Sequence, residues 1–210
     1  MRKLYLLVIF IFSGITLNAQ NTFEGIIEYE IVYSNYDAQY ESAIAMQPTY
    51  TTIEYKDGIS RATMPSFIGG KTIILTQHST GTIITLLDLV GTKYGVRSTF
   101  DTENTEKPNI QYTEGKKDIL GYICKKAILE EDDISYELYY TEEIKTFSDA
   151  NFGFQIPGTP LEVKAINEFY TVIHQATNIE EKNLEPIRMI IPSDYEEITE
   201  EELRKELGGM

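Results

Sequence analysis

Lys117–Tyr140 reads KDILGYICKKAILEEDDISYELYY, and this stretch decides the fold class. Ile134, Tyr136, Leu138 and Tyr140 share one face, opposite Ser135, Glu137 and Thr141. A repeat of two sends successive side chains to opposite faces of a strand, and β-branched and aromatic residues favour that pleated surface. Ile119–Leu129 reads as the strand before it. Glu130-Glu131-Asp132-Asp133 supplies the acidic turn between the two.

The same pattern recurs on both sides. In Phe23–Ser34, Ile27, Tyr29, Ile31 and Tyr33 alternate with Glu28 and Glu30. Thr49–Lys56 meets Asp57-Gly58, a hairpin signal because both residues tolerate positive φ. Ile59–Met64 is its partner. Lys71–Gln77, Thr82–Asp88, Thr92–Arg97 and Ile110–Thr113 continue the series, and Leu161–Ile166 with Phe169–Ile179 form a closing hairpin across Asn167-Glu168. Asn35–Pro48 fits a loop or a short helix equally well, and Ser98–Asn109 reads as a polar loop. Phe147–Pro160, with two glycines and two prolines, reads as an irregular aromatic loop. Close strand spacing with turn residues between predicts a mainly β, antiparallel meander. Near the C-terminus, Thr199 and Glu202 form a capping box ahead of a two-turn helix that Gly208 ends.

Arg2 and Lys3 followed by the apolar run Leu4–Phe12 and a small residue at Ala19 have the layout of a secretory leader, with cleavage after Ala19. This predicts residues 1–19 as leader and 20–210 as a single domain, placed in the periplasm or secreted. No later run is apolar for long enough to be a transmembrane span. The formal net charge of −15 disfavours nucleic acid and anionic lipid head groups as partners, since both are held by lysine and arginine. Cys124 is the only cysteine, which excludes an intramolecular disulfide. It reads as a small buried hydrophobe.

Catalytic signals are absent. There is no nucleophile elbow, phosphate loop or HExxH motif. His78 falls in a polar turn and reads as a surface residue, whereas His174 falls between Val172 and Ala176 and reads as a satisfied strand histidine. Two histidines and one cysteine make a poor zinc set, and neither Glu130–Asp133 nor Glu196–Glu202 has the spacing of a calcium loop. The expectation is a non-enzyme without metal or cofactor. Fifteen tyrosines and no tryptophan suit a ligand cavity or an interaction surface, and equally an ordinary set of strands.

Several short segments carry a family resemblance: Ile119, Gly121-Tyr122, Cys124-Lys125-Lys126-Ala127, Tyr139–Ile144, Gly158–Glu162, Phe23–Tyr29 and Ile191–Tyr195. In these the chain resembles the GLPGLI-type group of exported proteins, with Phe152–Gly158 standing where the naming motif falls. Such proteins are similar in outline to the lipoprotein-carrier fold typified by LolA. The resemblance implies a strongly curved half-barrel sheet with helices over an apolar concave side. It implies a carrier for a lipid or acyl chain, lined by Ile27, Tyr29, Ile31, Ile134, Tyr136, Leu138 and Tyr140. Phe147, Phe152 and Phe154 would gate the mouth. The alternative is an envelope module that binds another protein through a solid core and an exposed edge or loop.

Overall fold

In the computed structural model, residues 22–66, 69–89, 91–100, 109–131, 133–146 and 156–208 are described. The leader expected at 1–19, most of the loop expected at Ser98–Asn109, and Phe147, Phe152 and Phe154 lie outside them. Among the described residues twelve strands form one sheet. Five antiparallel hairpins link β1 (Gly25–Ser34), β2 (Tyr50–Lys56), β3 (Ile59–Pro65), β4 (Lys71–Gln77), β5 (Thr82–Leu89) and β6 (Thr92–Thr99) in chain order. A second meander comprises β7 (Ile110–Ile119), β8 (Tyr122–Glu131), β9 (Ile134–Thr141), β10 (Thr159–Ile166) and β11 (Thr171–Glu181). It returns to the start of the chain, where β11 pairs with β1 from Gly25↔Glu181 to Ser34↔Thr171. The two meanders thus meet in the middle, and β7 is left at one edge. At the other edge the short β12 (Glu196–Ile198) lies parallel to β6. Among the described residues helices are few: one 3-10 turn (Ala38–Tyr40) running into α1 (Glu41–Ile44), and α2 (Glu200–Gly208).

Register explains the core. Ile179, Ile27, Ile53, Ala62 and Ile74 are successive cross-strand partners from β11 to β4, so one apolar row crosses five strands on a single face. Ala127, Leu138, Val163, His174 and Ile31 form a second row on the same face, from β8 to β1. Cross-strand neighbours on one face touch, so each row packs as a unit. Tyr29 is 1 % exposed, and its phenol donates to the Pro160 carbonyl at 2.9 Å, tying β1 to the start of β10.

The covering changes sides along the sheet. On β4 and β5 the opposite face is apolar, with Leu75, Ile84 and Leu86 buried there. Ile187, Met189, Ile191 and Tyr195 of the extended C-terminal segment pack over it. Gly95 of β6 permits the close approach, since a Cβ there would stand 2.5 Å from the Ile191 side chain. On β7–β10 that same opposite face carries ions instead: Lys126 meets Glu137 at 3.0 Å, and Lys117 meets Glu162 at 2.5 Å. Half-exposed pairs of this kind each contribute about 0–1 kcal/mol, so they solubilise this face more than they hold it.

Three expectations are corrected here. Ile119–Leu129 is not one strand, because a turn at Leu120-Gly121, both at positive φ, divides β7 from β8. Leu120 is a poor residue for that conformation, which is why the turn has no signal in the sequence. Glu196–Ile198 leads into the tail helix as a strand, although its neighbours read as a helix start. Phe169 is not a strand residue but sits in the turn Asn167–Tyr170, closed by the Asn167 N–H donating to the Tyr170 carbonyl at 3.1 Å. The capping box is present as expected: Glu202 N–H donates to Thr199 Oγ1 at 3.2 Å, and Thr199 N–H to a Glu202 carboxylate oxygen at 2.8 Å.

Candidate functional site

The residues expected to line a cavity share the face predicted for them but fall into separate packing groups. Ile27 and Tyr29 belong to a cluster with Ile53, Tyr55 and Leu161. Leu138 and Tyr140 belong to another, with Ala127, Leu129 and Val163, against which Tyr136 packs. Ile31 is 4 % exposed in the second row, and Ile134 is half-buried at the turn end of β9.

The titratable groups are structural. His78 is buried, not on the surface as expected, and its Nε2 lies 3.2 Å from Ser60 Oγ in the layer under Tyr55. The turn in the sequence conceals that its alternation with Thr76 turns it inward. Cys124 is fully buried, and burial pushes its thiol up to about 11, far from a reactive thiolate. Among the described residues no group of three or more His, Cys, Asp or Glu side chains could hold a metal ion. The Glu130 carboxylate instead accepts from Ser135 Oγ at 2.8 Å.

His174 sits between Ile31 and Val163 in the second row, and burial holds its imidazole below the ordinary value of 6.5. A depressed histidine is protonated more readily in the unfolded chain. The fold is therefore expected to lose stability as pH falls through about 6.5, the ordinary value of this group. Urea midpoints at pH 7.5 and 5.5 check this, and His174→Gln should flatten the difference.

A group of paired aromatic side chains lies elsewhere, at the Ser34–Thr171 end of the central strand pair. The segment after β1 leaves through Asn35 at φ 55°, and Asn35 Nδ2 donates to Thr171 Oγ1 at 3.2 Å. That bond holds the segment against the β10–β11 turn. Tyr40 and Phe169 then meet edge to face at 5.7 Å, and Tyr33 and Tyr170 at 6.2 Å. The turn itself is locked by Asn167 Oδ1, which accepts from the N–H groups of Phe169 and Tyr170 at 2.8 and 2.9 Å. The Tyr33 phenol donates to the Pro48 carbonyl at 3.3 Å, and burial raises its pKa, so it stays a neutral donor. Phe169 is 45 % exposed and Tyr36 36 %.

Sequence reasoning missed this cluster because its rings come from β1, from the undecided Asn35–Pro48 segment and from a turn. The available signal was Phe169-Tyr170 directly after the turn pair Asn167-Glu168.

Comparison with known proteins gives the fold its family. Residues 51–194 match the family described as "N-glycanase peptide, N-terminal domain". The chain belongs to this family. The match covers well over half of the chain and overturns the resemblance to the GLPGLI-type group and to the LolA carrier outline. Two structures of PNGF-II, in space groups P21 and C2, share the fold with TM-scores of 0.57 and 0.54. Each is 12 % identical and covers 88 % of this chain, which spans only 33 % and 32 % of theirs. No curated protein matches the chain. The acyl-ligand expectation rested on the carrier resemblance and loses its support with it. Short motifs such as Gly121-Tyr122, at the β7–β8 turn, or Gly158–Glu162, at the start of β10, are features many antiparallel sheets share, and so misled.

Proposed function

We propose that this chain is a non-catalytic binding module for N-glycosylated polypeptides. Membership of an N-glycanase N-terminal-domain family supports the substrate class. The observation that carries the binding role is the locked aromatic cluster around Tyr40 and Phe169, whose Phe169 is exposed on an otherwise strongly acidic chain. Exposed rings held in place by their neighbours are the usual currency of recognition surfaces rather than of cores. The titratable side chains described above are engaged in packing, capping or ion pairs, which suits a module that holds a substrate without cleaving it. The basic start, apolar run and Ala19 of the leader support export, which would bring the module to the compartment where glycosylated surfaces are met.

The test is calorimetric titration of the chain with an N-glycosylated peptide and with the same peptide stripped of its glycan. Saturable binding of the first alone is expected, with no free glycan detected by mass spectrometry. Equal binding of both peptides, or of neither, overturns the substrate class. Release of glycan overturns the non-catalytic role.

A further inference from the structure

Resting on that reading, we propose that the cluster Tyr33, Tyr40, Phe169 and Tyr170, with the exposed Tyr36 of the segment that leads into Tyr40, is the subsite for the sugar, and that it takes a neutral pyranose unit stacked on its exposed rings.

The rings are preorganised. Two edge-to-face pairs fix four of them, at 5.7 and 6.2 Å, and Asn167 Oδ1 anchors the turn that carries Phe169 and Tyr170. In an edge-to-face pair one ring presents only its rim to its partner, so that contact does not cover its own faces, and Phe169 is an exposed member of its pair. A pyranose ring has an apolar C–H face and a rim of hydroxyls. It matches an aromatic face ringed by acceptors, and a ring already held in place loses little freedom on binding. The phenols of Tyr33, Tyr36, Tyr40 and Tyr170 and the exposed Asp37, Glu41 and Glu168 of the same two segments offer groups of that kind.

Charge selects among candidate occupants. Residues 25–55 contain no lysine or arginine, and neither do residues 165–181. Every ring of the cluster lies in these two stretches. A phosphate, a sulfated or sialylated sugar, or an anionic lipid surface would meet carboxylates from these two stretches and draw no lysine or arginine from them. A neutral saccharide meets no such penalty, and its hydroxyls can donate to those carboxylates. An apolar peptide could also occupy exposed rings, but it would leave the acceptors unused.

The experiment is titration of the chain with a neutral oligomannose N-glycan free of peptide, followed by tyrosine fluorescence, the chain having no tryptophan. Phe169→Ala and Tyr36→Ala are each expected to weaken binding roughly tenfold or more, as truncation of an aromatic anchor does. Phe169→Tyr should retain most of it. Ile123→Ala, an exposed substitution on β8, should leave it unchanged. A sialylated glycan should bind more weakly than the neutral one. Tyr36 lies outside regular secondary structure and is partly exposed, so its variant keeps the test valid even if Phe169→Ala perturbs the turn. If the wild-type chain binds the N-glycosylated peptide while both alanine variants bind it equally well, the subsite is wrong and the binding module stands. If those variants instead lose affinity for the stripped peptide, the cluster is a peptide platform and the sugar assignment falls. If the wild-type chain binds neither glycan nor glycopeptide, both readings fall.

Discussion

Tyr29→Ala is expected to destabilise the fold by about 3–5 kcal/mol, the range for removing a buried aromatic side chain from a core. Tyr29 stands on β1, where the two meanders join, flanked by Thr51 of β2 and Ala176 of β11. Its ring packs in the cluster that includes Ile53, Tyr55 and Leu161, so its loss leaves a cavity that several strands share. Typical domains have only about 5–15 kcal/mol in hand, so the variant should be close to the limit of folding. Tyr29→Phe keeps the ring but removes the donor to the buried Pro160 carbonyl, at an expected cost of about 1–3 kcal/mol. Burial, and then the nearby Tyr55, hold the Tyr29 phenol well above its ordinary range, so the bond should persist unchanged across alkaline conditions that ionise exposed tyrosines. Urea unfolding of the two variants beside the wild type measures both losses. A change below about 1 kcal/mol for Tyr29→Ala would show that the centre of the sheet is not packed as described.

The second large effect concerns the tail. Ile187→Ala is expected to cost about 2–4 kcal/mol, because Ile187 is 6 % exposed against Leu75, Ile84 and Leu86. Gly95→Val should have the same direction by a different route, placing a side chain where Ile191 now lies. Both substitutions should free the segment from Leu184 onward. Limited proteolysis should then cut after Arg188 faster than in the wild type, before any global unfolding. If neither variant alters the cleavage rate, the tail does not depend on that face of β4–β6.

Much of the local architecture could be read from the residues. Lys71–Gln77 needed only its β-branched run and flanking glycines, and the Ile134–Tyr140 face followed from strict alternation. The Asp57-Gly58 hairpin followed from the two residue types that accept positive φ, here 50° and 75°. What could not be read was the long-range pairing. Nothing in Gly25–Ser34 specifies that its second neighbour is Thr171–Glu181, because either edge of a half-buried strand offers the same backbone groups. That pairing alone brings Tyr33 beside Tyr170 and the segment after β1 beside the β10–β11 turn. The aromatic site is a product of register, so no window of sequence contains it. Leu120-Gly121 shows the converse case, where an exposed turn, with the Gly121 N–H donating to Asp118 Oδ1, falls on a leucine that does not ask for one. Conversely, the short motifs that suggested a carrier are properties of strands and hairpins, which many folds share.

The measurement that tests the account most directly is native mass spectrometry of the chain offered an N-glycosylated peptide and a fatty acid together. The account predicts one adduct, at the mass of the glycopeptide, which disappears when the glycan is removed beforehand. An adduct at the mass of the fatty acid, with none from the glycopeptide, would contradict it and return the apolar face of the sheet to consideration as a ligand site.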